Sequence, residues 1–504
     1  MLLMNGLSNS NSTGLDGYHT KIVKSVISAI ASPLADIFNI SFKYGVFPDL
    51  LKNAKITPIF KADDKSMINN YRPISVLPVF SKILEKLMYQ RLISFLDQHK
   101  VLNDNQYGFR ENHSTDMALI NMIDQISSEM DNKQYSIGIF LDLSKAFDTI
   151  DHSILLQKLE TYGIRGIALS WFRSYLSNRS QCVTVNGKIS DYLPITCGVP
   201  QGSILGPLLF ILYINDLVNT SRLLKFIMFA DDTNIFYSHK SLTELIHIVN
   251  IELNQVSNWL KANKLSLNVK KTHFILFHFR QRKIDQLPSV LIDNNIIEQV
   301  KSTKFLGVVI NENLTWTDHI NILINKCSKN VGILRKLRHS LPPHILVTLY
   351  NTLILPYLNY CNIAWASQPN GILDKLFVTQ KKAIRILTNS TWNAHSLPLF
   401  KTLNLLTVQD INKLQISCFT YRALHHLLPH HFQHYFQLNS LLHSHNTRTS
   451  SQLHIHSYVT THRSYTIRIH APRTWNSLPT ELHNLPTLPL FKRKIKLFLL
   501  STYV

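Results

Sequence analysis

A chain of 504 residues with 45% apolar content and mean hydropathy near zero has length for about two to four folded domains and a large buried core. Fifty-two Lys and Arg against 31 Asp and Glu leave a formal charge of +21, which calls for a polyanionic partner, nucleic acid or an acidic membrane surface. Cys182, Cys197, Cys327, Cys361 and Cys418 stand singly without a C-x-x-C pair, excluding a zinc ribbon or a disulfide framework and favouring reduced thiols inside a cell.

The first residues turn polar at Asn5, too early for a secretory leader. The spacing of Ile22, Val26, Ile30, Leu34, Ile37 and Phe38 predicts a helix over 21–44, kinked or broken at Pro33. A short basic strand is expected at 53–62, then helices over 81–99 and 116–130. Residues 135–143 (Y-S-I-G-I-F-L-D-L) form a near-continuous apolar run ending in an acid, as a buried central strand would. Helical patterns return at 152–176 and 206–219. The longest apolar run, Ile204 to Ile214, contains Gly206 and Pro207 and is too short to cross a bilayer. A hairpin over 223–237 and a helix over 241–263 follow, and beyond 310 the pattern is mainly helical. Residues 401–504 carry eleven Lys and Arg against Asp410 and Glu481, with half of all the histidines. Helices mixed with hairpins, without regular βαβ alternation, predict an α+β fold.

The chemistry concentrates on three acids. Asp231 and Asp232 fall at the hairpin tip between apolar and β-prone runs, and Asp142 ends the central strand. Adjacent carboxylates repel, so they sit in open water or around a cation. Three of them on neighbouring strands suit two divalent ions roughly 3.5–4 Å apart. Mg²⁺ is the expected ion and Mn²⁺ the substitute, because hard oxygen ligands and substrate phosphates suit both. The bland alternative for any one of these acids is a helix cap or a surface salt bridge, and for the Asp231-Asp232 pair a solvated turn.

At this point the residues resemble a known family. G-V-F-P (45–48), K-I-T-P-I-F-K (55–61), N-Y-R-P-I-S (70–75) and Q-Y-G-F-R (106–110) follow a Tyr18 context with Gly14 and Gly17. F-L-D-L-S-K-A-F-D (140–148), G-V-P-Q-G-S (198–203), F-A-D-D (229–232), L-S-L-N-V-K-K-T (265–272) and F-L-G-V (305–308) come next. In this order they resemble the reverse transcriptases of non-LTR, LINE-type retrotransposons, jockey-like and related animal lineages.

The resemblance implies a right-hand polymerase. Its parts would be an N-terminal extension (1–40), fingers and palm with an antiparallel sheet (41–310), a helical thumb (311–400) and a basic, His-rich accessory region (401–504). It implies an RNA-directed DNA polymerase, with Asp142, Asp231 and Asp232 as metal-binding catalytic acids. Lys61 and Arg72 would hold the incoming triphosphate, for which a point charge and a bidentate guanidinium are suited. Phe147 would close off the ribose 2′ side, and Gln201 with Gly202 would support the nucleotide. Surface cations, a core Phe and a loop glycine are the alternatives. Lys271 matches a phosphate-proximal general acid, although Lys270 is adjacent. Phe305, Leu306 and Gly307 match a primer grip, or else a core strand with a bulge at Gly307. Gln106, Gly108, Phe109 and Arg110 mark the lineage without a chemistry of their own.

The partners implied are an RNA template, a DNA primer, deoxynucleoside triphosphates and no membrane, in an intracellular setting of nucleus and cytoplasm. An endonuclease would come from another chain, because the resemblance begins near residue 15, as in a 5′-truncated element or a partial gene model. The competing reading is a silent nucleic-acid-binding relic. Histidines at 425–426 and 430–431 lack a ligand pattern and read as surface. Lys492 to Lys496 reads as a nuclear-import signal or a basic helix face.

Overall fold

The computed structural model describes all residues except 1–3, 5, 283, 285–287, 369, 443–448 and 504, so part of the N-terminal segment weighed as a leader lies outside the described residues. The chain opens with α1 (Thr20–Tyr44), closed by Gly45 in the left-handed region. The expected break at Pro33 is absent: the helix is continuous. Ala29 and Pro33 both lie on its exposed side, where water satisfies the carbonyl that proline cannot bond. Among the described residues this 25-residue helix is long and apolar enough to cross a membrane. The run at 204–214, weighed from sequence, is not.

Strands β1 (Ala54–Phe60), β2 (Tyr71–Val76), β4 (Arg179–Val185), β5 (Lys188–Ile189) and β6 (Leu193–Ile195) make a first sheet in the order β2-β1-β4-β5, with β6 also on β4. Between them come α2 (Val79–Gln98) and α3 (Thr115–Asp131), then β3 (Tyr135–Leu141), α4 (His152–Thr161) and α5 (Ile167–Leu176). Capping side chains fix two of these starts. Ser114 accepts from the Met117 amide at α3, and Asp151 accepts from the Ser153 and Ile154 amides at α4. The helical pattern at 152–176 is split at Gly163 and Gly166, both at positive φ.

The helix expected over 206–219 ends at Tyr213 as α6 (Gly206–Tyr213). Next come β7 (Lys225–Phe229), β8 (Asp232–His239), α7 (Leu242–Ala262) and β9 (His273–Phe277). Short strands β10 (Leu291–Ile292), β11 (Asn295–Ile296) and β12 (Glu298–Gln299) precede a hairpin of β13 (Ser302–Phe305) and β14 (Val308–Asn311). Helices dominate from α8 (Thr317–Leu337) to the last one, Leu488–Ser501.

The central sheet runs β12-β9-β3-β8-β7, with β3 antiparallel to both β8 and β9. Side chains alternate across it. Ile137, Ile139 and Leu141 join one core with Phe226, Met228, α2 and α7. Phe140, Ile227, Phe236 and Phe277 join a second core with α3 and with C-terminal residues as far as Tyr503. Both faces are therefore buried, which is why β3 reads as a near-continuous apolar run.

Candidate active site

The β7–β8 hairpin puts Ala230 and Asp231 in a two-residue loop closed by Phe229 opposite Asp232. Ala230 holds φ +56, a left-handed conformation that glycine adopts freely and alanine adopts at a cost. Strand β3 lies against β8 with Leu141 opposite Thr233, so Asp142, one residue further, comes level with Asp232. The Asp142 backbone is held from the other side, where its carbonyl accepts from the Asn268 amide at 2.8 Å. The three expected acids thus meet at the ends of β3 and β8.

Their electrostatics show the crowding. Withdrawal from water, then the nearby charges of Asp231 and Asp142, push Asp232 up to about 6, with Lys61 opposing. Asp231 is also raised, by withdrawal from water and then by Asp142, against Arg72 and Lys61. Lys61 and Arg72 come from the β1–β2 hairpin, where the Lys61 amide donates to the Asn70 carbonyl at 2.8 Å and Arg72 pairs with Ile59. Both side chains are exposed, and the charge of both reaches Asp231. Among the described residues no three His, Cys, Asp or Glu side chains already form a ligand shell. What the site offers is an excess of anionic oxygen with too little compensating charge. A hard divalent cation relieves that condition, so the donor set fits one.

Phe147 is clamped. Its ring stacks on Phe210 at 4.4 Å and meets Phe109 edge-on at 6.1 Å. The loop carrying Gln201 is knitted to the segment after Phe147. The Val199 amide donates to the Phe147 carbonyl at 2.9 Å, and Gly198 donates to the Ile150 carbonyl at 2.8 Å. Gln201 Nε2 donates to Asp148 Oδ1 at 2.8 Å, and the Gln201 backbone carbonyl accepts from the Ser75 amide at 2.7 Å. A carboxylate only accepts, so Asp148 turns the amide of Gln201 with Oε1 left for a ligand donor. At Gly202 a Cβ would fall 2.5 Å from the Ser75 carbonyl oxygen, so only glycine lets the loop lie this close to β2. A cavity of about 240 Å³ opens here, lined by Ile56, Ser75, Asp148, Gly198 and Gln201. Asp148 went unassigned in the sequence; its signal was a second acid directly after Phe147.

Lys271 is exposed in the turn beside Asp142, where its amide donates to Asn268. The cations acting on the hairpin acids are Lys61, for both Asp231 and Asp232, and Arg72, for Asp231. Phe305, Leu306 and Gly307 form the β13–β14 turn, with Phe305 packed edge-on against Phe140 at 5.4 Å. The turn is a two-residue loop with φ +46 at Leu306 and +81 at Gly307, rather than a bulge. Tyr360 donates to the Leu306 carbonyl at 2.8 Å.

The same hairpin is anchored by His319, 4% exposed, in the first turn of α8. Its Nδ1 accepts from the Val309 amide at 3.3 Å. Burial, then the charge of Lys326, push this imidazole down to about 4. A histidine lowered from its ordinary 6.5 favours the fold fully above that value, and the contribution is lost as pH falls toward 4. Urea unfolding at pH 7 and 4.5 should therefore show an acid loss that shrinks by about 2 kcal/mol in His319→Gln, which keeps the acceptor but does not titrate. Equal losses in both proteins would refute this.

Comparison with known proteins follows the same residues. The family model described as "Reverse transcriptase (RNA-dependent DNA polymerase)" matches residues 59–310, half of the chain. The chain is 28% identical over 393 residues to "RNA-directed DNA polymerase from mobile element jockey" of Drosophila melanogaster, covering 76% of this chain and 42% of that protein. It is also 28% identical over 416 residues to "Probable RNA-directed DNA polymerase from transposon X-element" of the same organism, covering 81% and 45%. The chain thus spans less than half the length of these relatives. With its motifs gathered on one mixed α+β scaffold, the chain belongs to the reverse transcriptase family.

Proposed function

We propose that the chain is an RNA-directed DNA polymerase of a non-LTR retrotransposon, extending a primer 3′-hydroxyl with deoxynucleotides on an RNA template. The observation that carries this is the meeting of Asp142, Asp231 and Asp232 at two strand ends, faced by Lys61 and Arg72. The names of the relatives support it, because they describe an RNA-directed DNA polymerase and a probable one.

In this reading residues 41–310 are fingers and palm, 311–400 the thumb, and 401–504 a basic region packed against both. Lys61 and Arg72 take the triphosphate, where cations on one hairpin can follow a polyphosphate as it seats. Phe147, wedged between Phe210 and Phe109, presents a ring edge that a 2′-hydroxyl cannot pass. Gln201 offers Oε1 to a donor on the nucleotide. Asp142, Asp231 and Asp232 would hold the divalent ions, which when bound lower the pKa of the attacking hydroxyl and neutralise the leaving pyrophosphate. The positive surface binds the template and primer through phosphates, so affinity falls steeply with salt.

The test is primer extension by the full chain with Mg²⁺ and deoxynucleotides on matched RNA and DNA templates. Incorporation on RNA is expected, and none on either template would overturn the reading. In the same assay Phe147→Val should raise ribonucleotide use by about 10- to 100-fold, the factor set by relieving a steric clash of a few kcal/mol. Unchanged discrimination would remove Phe147 from the gate.

A further inference from the structure

Q-Y-G-F-R (106–110) lies directly against the catalytic turn. Strand β7 is the outer strand of the central sheet, and Asn105 to Tyr107 runs along its free edge. The Tyr107 amide donates to the Met228 carbonyl at 2.8 Å, and the Met228 amide donates to the Asn105 carbonyl at 2.9 Å. Gln106, 1% exposed, turns inward between them. Its Oε1 accepts from the Gly108 amide at 2.7 Å and from the Ala230 amide at 3.0 Å. Its Nε2 finds no partner among the described residues, so the acceptor end alone is what the fold employs.

Two further details tie this segment to the turn. A Cβ on Gly108 would fall 2.3 Å from the Ala230 nitrogen, so the two backbones are in contact and only glycine permits it. Arg110 Nη1 donates to the Asn103 carbonyl at 2.7 Å and to the Gln106 carbonyl at 3.2 Å, closing the segment on itself. A non-glycine residue at positive φ persists only where its surroundings over-determine it. Ala230 is such a residue, and it immediately precedes Asp231.

We propose that Gln106 is a positioning residue for the catalytic turn: its carbonyl oxygen pins the Ala230 amide and thereby fixes where Asp231 and Asp232 point. The inference rests on the polymerase reading. Gln106 touches neither nucleotide nor primer, so its loss acts through the carboxylates. Tyr107 secures the other side of the segment, its hydroxyl accepting from Asn121 at 2.8 Å on α3.

The experiment uses the full chain with Gln106→Met, which keeps length and bulk but accepts no hydrogen bond, and independently Gly108→Ala, which pushes the turn away. Mn²⁺ binding followed by electron paramagnetic resonance reads the carboxylates without turnover, and the signal lost in Asp231→Asn defines the relevant ions. Each variant should bind those ions about tenfold more weakly and extend primers about 10²-fold more slowly. The KM for primer–template should stay near wild type, while the melting temperature falls in both variants without loss of the fold at the assay temperature, because buried amides lose their acceptor in one and two backbones are forced apart in the other. Wild-type Mn²⁺ affinity in a folded variant overturns the proposal, as does a fall in primer–template binding parallel to a fall in melting temperature. Absence of an Asp231-dependent Mn²⁺ site in the parent chain overturns it too. Absence of incorporation by the parent, with Mn²⁺ binding intact, sinks the polymerase reading while the titration still decides the role of Gln106.

Discussion

Asp231→Asn is expected to lower RNA-templated incorporation by about 10³-fold, equivalent to about 4 kcal/mol of transition-state stabilisation. Asparagine keeps the size of the side chain and removes only its charge and one acceptor oxygen. On the proposed reading the deficit should fall on kcat, because Lys61 and Arg72 would still take the triphosphate and the basic surface would still take the primer–template. A second consequence has the opposite sign. In the metal-free protein the Asp231 carboxyl is held above its ordinary range by withdrawal from water and then by Asp142. The charged form is therefore disfavoured in the fold, and neutralising it should leave the melting temperature in chelator unchanged or higher. Added Mg²⁺ should then raise the melting temperature of the parent and not of the variant. Activity within tenfold of the parent would remove Asp231 from the catalytic set. A lower melting temperature in chelator would show that it serves the fold instead.

The parts of this site that were legible in sequence are those whose signal is local. Strand β3 was readable because both sheet faces are buried, and the β7–β8 hairpin because apolar and β-prone runs bracket a polar tip. Helices α2, α3 and α7 fell close to their expected bounds, since an apolar stripe and capping residues such as Ser114 and Ser241 mark them. Strand β4 left no such trace: R-S-Q-C-V-T-V buries only Arg179 and Cys182, so its apolar pattern is too sparse to read. Leu306 hid the true turn at 305–308, because a branched residue at positive φ is not expected without the Tyr360 hydroxyl that holds its carbonyl. The contacts that aim the functional groups were invisible for another reason. Gln201 meets Asp148 across 53 positions and Ala230 meets Gln106 across 124, and no periodicity encodes such a pairing.

Arg463→Ala should destabilise the whole chain by about 3 kcal/mol, because it strands a buried carboxylate without its cation. Asp124, 3% exposed on α3, lies beside Arg463, 7% exposed. Arg463 Nη1 donates to both the Asp124 carbonyl and its Oδ1 at 2.6 Å. The Tyr435 hydroxyl donates to Oδ2 at 2.8 Å, and Arg468, at 3.9 Å, offsets part of the loss. Two turns further along α3, Asp131 accepts from the Thr460 amide at 2.7 Å and from Val459 at 3.0 Å. One face of a single helix thus fastens the C-terminal residues, while α3 packs beneath the central sheet that carries the carboxylates. Asp124→Asn combined with Arg463→Met removes both buried charges and should recover most of the loss, since the cation left behind, Arg468, is partly exposed to water. The denaturant midpoint measures this, and nucleic-acid affinity at matched salt separates two roles for the region. A basic appendage would lose RNA binding on Arg463→Ala with its unfolding midpoint unmoved. A brace for the sheet loses the midpoint first, because Arg463 is spent on Asp124 inside the fold and its charge is not available to a phosphate outside it.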